Sequence, residues 1–241
     1  MILITRPKEQ AKDLRLTFAS KGYKVFQESL YSIEYLKRKV FYNKDSYYIF
    51  PSIHSVKSLV KNKQIYKFKD ANIFAIGKKV KQELINSGCK KILATTIDSK
   101  TLVTTLSSHK FNKVKLVYLC SNVVNSDFFN DAKKYKLSVK KTTIYKTRPV
   151  KKFTKKLIYY LSANKILGIT LYSKLSVETF LSLLTKYKIL YKFKKTPMYC
   201  ISERVAKLLR QKNFKYIYVA SKPNQKSLVN TVKRSHFTWW N

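Results

Sequence analysis

Glycine is almost missing from this chain, with 4 in 241 residues, and proline is nearly as rare, with 5. That scarcity makes a Gly-rich phosphate cradle hard to build. None of G-x-G-x-x-G, G-x-x-x-x-G-K-[ST] or G-x-S-x-G occurs. The 3 cysteines, Cys89, Cys120 and Cys200, are far apart and form no C-x-x-C pair. Neither a disulfide framework nor a zinc site is indicated, and a reducing cytoplasm is the expected location. The 3 histidines, His54, His109 and His236, have no partner at metal-ligand spacing. Acids are scarce too, 12 against 51 lysines and arginines, and no two of them suggest a general acid–base couple. Asp127 and Asp131 share a predicted helix and read as solvated. No apolar run approaches the roughly 18 residues that span a membrane. The opening MILITRPKEQ lacks a signal-peptide pattern. An enzyme built from this chain would use no metal, no nucleotide and no covalent nucleophile.

The formal net charge is +39. One reading is a polyanion- or RNA-binding protein without catalysis, two-lobed and basic. Against it, lysine is spread from end to end instead of gathered in a stripe, and no nucleic-acid-binding signature is present. The abundance of Lys, Asn, Ile and Tyr matches the bias of an A/T-rich genome. The net field attracts polyanions in either case, and a polycarboxylate gains from it as much as a phosphate backbone does.

What the chain does have is a sequence that repeats. Ile73 to Leu106 and Met198 to Val232 share apolar positions: Ile76 with Ile201, Val80 with Val205, Leu84 with Leu209, Ile92 with Ile217. Phe50 to Val56 pairs with Leu171 to Val177, and Val25 to Tyr31 pairs with Val139 to Tyr145. Three blocks that recur in a consistent order point to two similar lobes, and two lobes make a cleft.

Short apolar runs alternate with amphipathic stretches throughout, which predicts an α/β architecture with parallel sheets. Strands are expected at 2–5, 23–26, 47–50, 72–76, 91–94, 115–119, 138–145, 168–172, 198–201 and 216–219. Helices fall between them, among them 8–20, 53–60, 78–87, 99–106, 125–134, 154–161, 175–184, 203–211 and 225–233. Two polar, basic, extended segments, 31–40 and 145–152, break the pattern and read as linkers; Arg148-Pro149 discourages helix in the second. The tail with Trp239-Trp240 shows no periodicity.

Ligands of open parallel sheets bind beyond the carboxyl ends of the strands, at the following helix N-termini. Six such turns carry suggestive residues: Thr5 and Arg6; Ser52, with Ser55 one turn on; Gly77 and Lys78; Ser121 and Asn122; Ser173, with Ser176 one turn on; and Ser202 and Arg204. Ser, Thr and Asn are ordinary helix caps, and the same backbone N–H groups also bind anions. Among the 18 tyrosines, Tyr145 stands out, because it ends a strand at the second linker. A phenol there could donate a hydrogen bond to a leaving hydroxyl without changing charge.

Taken in order, several segments resemble the uroporphyrinogen-III synthase family: ILITRPKEQAKDLRLTFASKGYKVFQESLYSIE, IFAIGKKVKQELINSGCK, TTIYKT, ITLYSKLSVETFLSLL, CISERVAKLLRQKNF and SKPNQKSLVNTV. The resemblance runs from Ile2 to about Val232. It implies two flavodoxin-like lobes with parallel sheets, joined by a two-stranded linker, with a cleft between them. One lobe would combine residues 1–33 with 150–241, and the other would be 38–144. It implies a monomeric enzyme that takes hydroxymethylbilane, a linear tetrapyrrole polycarboxylate. The macrocycle closes with inversion of ring D through a spiro intermediate. It implies no cofactor, no specific nucleic acid and no membrane. Tyr145 aligns with the tyrosine of the family's V-Y-x-T segment, and Ser52 and Ser173 align with the serines of its T-S turns. Gly77 and Ser202 align with turns that present backbone N–H groups. The chain departs at Pro51 and Tyr172, where a threonine is common, at Val80 and Val205, at Ser202 in place of a turn glycine, and at Cys120-Ser121 in place of an arginine-glycine pair.

Overall fold

The computed structural model describes residues 1–108, 111, 114–124 and 126–237. His109, Asn125 and the two tail tryptophans lie outside them. The chain divides into two compact units, Met1–Ser32 with Arg148–Asn241 and Ile33–Thr147.

In the first unit, β1 (Ile2–Ile4), β2 (Val25–Gln27), β9 (Gly168–Leu171), β10 (Met198–Cys200) and β11 (Ile217–Val219) form one sheet in the order β11-β10-β9-β1-β2. The pairs within it run parallel. Its helices are α1 (Lys8–Ala19), α6 (Lys155–Ser162), α7 (Lys174–Lys186), α8 (Glu203–Arg210) and α9 (Gln225–Phe237). Strand alternation splits the apolar residues between the two faces. Leu3, Ile169 and Leu171 join the core under α6 and α7, while Ile2, Ile4 and Tyr199 join the core under α1 and α9. With strands numbered by their order within the unit, the sheet reads 2-1-3-4-5, the flavodoxin-like order.

The second unit holds β3 (Tyr31–Tyr35), β4 (Ser46–Phe50), β5 (Asn72–Ile76), β6 (Ile92–Thr96), β7 (Lys115–Ser121) and β8 (Val139–Pro149), in the order β3-β8-β7-β4-β5-β6. The β4–β5, β5–β6, β4–β7 and β7–β8 pairs are parallel. Helices α2 (Ile53–Lys61), α3 (Lys78–Asn86), α4 (Ser99–Leu106) and α5 (Ser126–Lys134) cover it. Numbered from β4, its five main strands run 3-2-1-4-5. Starting the count at β7 restores 2-1-3-4-5, so this sheet is a circular permutation of the first. The sequence repeats obey that permutation: β4 corresponds to β9, β5 to β10 and β8 to β2.

The structure extends the repeat. A 3₁₀ turn at Ile65–Phe68 has a counterpart at Leu190–Phe193, and Phe68 and Phe193 are buried in corresponding cores. Lys63 and Lys188 just before them both adopt positive φ, 52° and 56°. Gly88, at φ 87°, corresponds to Asn213 at φ 54°. Helix α7 has 13 residues where α2 has 9, one extra turn, which shifts the sequence offset between the copies.

The two segments expected as extended linkers carry regular strand. Tyr31–Tyr35 is β3, and β8 runs on to Pro149, beyond the expected end at Tyr145. Pro149 is tolerated because it is the last strand residue, where its missing N–H breaks no ladder. No helix among the described residues is long and apolar enough to cross a membrane.

Candidate active site

An open sheet binds ligands where its strand order reverses. That point lies between β1 and β9 in the first unit and between β4 and β7 in the second. The expected site residues lie at the carboxyl ends of these strands and of β5 and β10, except Tyr145, which lies within β8.

In the second unit Ser52 caps α2 and accepts from the His54 backbone N–H at 3.2 Å. Ser55, one turn on, is fully buried and donates to the Leu119 carbonyl at 2.6 Å, tying α2 to β7. Tyr145, only 6% exposed, points its phenol at these two serines. Burial pushes the phenol up to about 12, and hydrogen bonding with Ser52 and Ser55 works the other way. The group therefore stays protonated, a donor, across the physiological range.

Ser121 and Asn122 hold the end of β8 in place. The Ser121 hydroxyl lies 3.0 Å from the Thr147 hydroxyl, and Asn122 Oδ1 accepts the Thr147 N–H at 2.8 Å. The Asn122 N–H donates to the Tyr145 carbonyl at 3.2 Å. These two side chains are spent on positioning the strand that carries Tyr145. Gly77 ends β5 at φ 95°, a conformation that favours glycine, and Lys78 opens α3 exposed to solvent.

In the first unit the Thr5 hydroxyl is buried and donates to the Thr170 carbonyl at 2.6 Å, bridging β1 to β9 across the reversal point. The Arg6 guanidinium lies over the Tyr172 ring, 4.6 Å from its centroid. The Arg6 Nε is buried and makes no hydrogen bond among the described residues. Burial pushes the Tyr172 phenol up to about 12. Ser173 caps α7, accepts the Ser176 N–H at 3.1 Å and lies 2.8 Å from the Ser176 hydroxyl.

Ser202 precedes α8 in extended conformation, φ −160°, with no side-chain cap bond, and Arg204 is exposed in the first turn. This explains how serine replaces the glycine of the other copy, since the positive φ of Gly77 is not needed here. At the ends of β5 and β10, then, no cap side chain takes up the first-turn N–H groups of α3 and α8. At the ends of β4 and β9 serines do. Metal chemistry gains no candidate: among the described residues no group of three His, Cys, Asp or Glu could hold an ion.

The family model described as Uroporphyrinogen-III synthase HemD matches residues 12–230. The chain belongs to the uroporphyrinogen-III synthase family. It is a cyclising lyase of tetrapyrrole biosynthesis that closes hydroxymethylbilane to uroporphyrinogen III with inversion of ring D. The fold agrees. The uroporphyrinogen-III synthetase of Helicobacter pylori superposes with a TM-score of 0.68 at 14% identity, covering 97% of this chain and 98% of that one. A mutant uroporphyrinogen III synthase of Thermus thermophilus gives 0.57 at 14% identity, covering 98% of each. No curated protein matches the chain in sequence.

Tyr172, which stands where a threonine is common, lies beneath Arg6. Two residues beside the synthase's strand-end turns, Tyr35 and His54, were not among the expected site residues. They meet beside Tyr145. Their only signal was position: His54 follows the Ser52 turn, and Tyr35 lies on a strand read as linker.

Proposed function

We propose that the strand-end turns of each unit hold the carboxylates of hydroxymethylbilane, and that Tyr145 supplies the proton on which its hydroxyl departs. The observation that carries this is the buried Tyr145 phenol, aimed at Ser52 and Ser55 beside the reversal point of its sheet. A phenol that stays protonated lends a proton to the departing hydroxyl as water forms. Water departs from the hydroxymethyl carbon, leaving a phenolate and a cationic methylene carbon, stabilised by its pyrrole, that ring D attacks.

For the carboxylates, the uncapped N-termini of α3 and α8, at Gly77 and Ser202, offer backbone N–H groups and the positive end of a helix dipole. Lys78 and Arg204 add charge there. Arg6 is the corresponding cation at the reversal point of the first unit. Ser52, Ser55, Ser173 and Ser176 preorganise the two neighbouring turns, and Thr5, Ser121 and Asn122 fix the strand ends. Catalysis by positioning is what the reaction needs, because unassisted closure gives the non-inverted isomer and the enzyme must fold the bilane first. In this reading the synthase works as a cytoplasmic monomer, without a cofactor, on this small-molecule substrate and not on nucleic acid.

The test is an isomer assay with freshly generated hydroxymethylbilane, the products being oxidised and separated. Isomer III above the protein-free control is the expected result, and Tyr145→Phe lowers kcat by ~10²-fold while product affinity stays within about twofold. Equal losses in rate and affinity, or none in either, would remove Tyr145 from its role. Isomer I alone would remove the synthase reading.

A further inference from the structure

The residues around Tyr145 form a chain of contacts that begins outside the family motif. Tyr35, at the end of β3, places its hydroxyl 3.0 Å from Nδ1 of His54. The His54 ring in turn lies 5.8 Å from the Tyr145 ring, centroid to centroid, inclined at 50°. His54 sits in the first turn of α2, where Ser52 fixes its backbone by accepting its N–H. Tyr35 is pinned from a second side by Lys61 at the far end of the same helix, whose Nζ lies 5.5 Å over its ring. Three elements, β3, α2 and β8, therefore converge on one phenol.

We infer that His54, oriented by Tyr35, is a positioning residue for Tyr145. The inference rests on the reading of Tyr145 as the proton donor. The physical argument concerns a lever arm. The hydroxyl of a tyrosine lies far from its Cα, so a small swing of the ring moves the donated proton off line. Loss of alignment costs rate steeply in reactions run by positioning. The strand fixes the Tyr145 backbone, and Ser52 and Ser55 engage its hydroxyl. The ring between those two ends is held by its neighbours, and His54 is a neighbour tethered in turn by Tyr35. That tether persists whichever way the proton lies. The Tyr35 hydroxyl donates to an unprotonated Nδ1 and accepts from a protonated one.

The experiment is a double-mutant cycle with kcat and KM for isomer III as readouts. His54→Ala lowers kcat about tenfold with KM within about twofold, and His54→Gln, which keeps an acceptor for Tyr35, recovers part of the loss. Tyr35→Phe reproduces a smaller loss. In the Tyr145→Phe background, His54→Ala costs nothing further, because a residue that acts through Tyr145 has nothing left to position. Full additivity in the cycle overturns the inference.

A second readout needs no turnover. In protein labelled at the tyrosine ζ carbon, the Tyr145 resonance moves in His54→Ala and in Tyr35→Phe; an unmoved resonance overturns the inference as well. If the wild-type protein makes only isomer I, the synthase reading falls, and the resonance alone then decides whether His54 sets the environment of Tyr145.

Discussion

Replacing Gly168 by alanine would drive a methyl group into the ring of Tyr199. Gly168 opens β9, and a Cβ built there lies 2.6 Å from Tyr199 Cε2, 3.4 Å from Cδ2 and 3.2 Å from Ile2 Cδ1. The ring cannot retreat easily. Tyr199 is fully buried, its hydroxyl lies 2.8 Å from that of Ser235, and its face stacks on Tyr218 at 5.4 Å. Overpacking of a well-filled core costs ~1–3 kcal/mol, and a ring pinned at its face and tip belongs at the upper end. Alanine returns ~0.7 kcal/mol by restricting the unfolded chain. The net destabilisation is therefore about 2 kcal/mol, or a fall in Tm of about 4–8 °C for a chain of this size. Urea unfolding followed by circular dichroism reads the first figure, and a thermal scan reads the second. In a Tyr199→Leu background the same substitution costs less than about 0.5 kcal/mol, because the clashing ring is gone. A Gly168→Ala protein within ~0.5 kcal/mol of wild type would refute the packing argument.

Two further outcomes follow from the backbone and the buried thiols and phenols. Gly77→Ala meets no atom within 4 Å of its new Cβ, so its cost comes from φ 95° alone, about 1–2 kcal/mol by thermal unfolding. Gly88→Asn, which installs the residue its counterpart Asn213 already carries at positive φ, costs under ~0.5 kcal/mol; equal costs for the two would contradict this account. Tyr199 and Cys200 are adjacent on β10, and burial pushes both up to about 12. Because their folded values lie above their unfolded ones, the stability they contribute is whole below about pH 8.5 and declines as pH rises toward 12. A urea midpoint that stays flat from about pH 8 to 11 would show that these groups ionise as freely folded as unfolded.

Much of the architecture could be read from apolar runs. Ser99–Leu106 falls where its periodicity places it, and the strand-end turns follow from alternation of strand and helix. What stayed hidden has identifiable causes. The extra turn of α7 changes the offset between the copies from 121 at Ser52 and Ser173 to 125 at Ile65 and Leu190. The matching segments QIYKFK and ILYKFK therefore drop out of a comparison at the spacing that relates Ser52 to Ser173 and keep the spacing that relates Ile76 to Ile201. Arg148-Pro149 reads as a break, although a proline at a strand's last residue removes no bond that the strand needs. The side-chain contacts of the site were the least legible. Arg6 and Tyr172 are far apart in sequence and meet because β1 and β9 are neighbours. Tyr35 reaches His54 from a strand whose polar sequence gave no sign of regular structure.

The insertion of one unit within the other also sets the order in which the newborn chain can become ordered. Ile2 on β1 pairs with Val25 on β2 and, 166 residues on, with Gly168 on β9, so one edge of β1 waits for its partner until β9 is made. The second unit, Ile33–Thr147, is contiguous and holds all its own main strands. Closing a short loop costs less entropy than closing a long one, and units complete in sequence fold as they emerge. The segment that carries Tyr145 therefore takes shape while β1 and β2 still lack β9. It then brings the chain back for them, since β3 at its start and β8 at its end lie side by side in one sheet. Arg6 acquires its setting over Tyr172 only once β9 has been made.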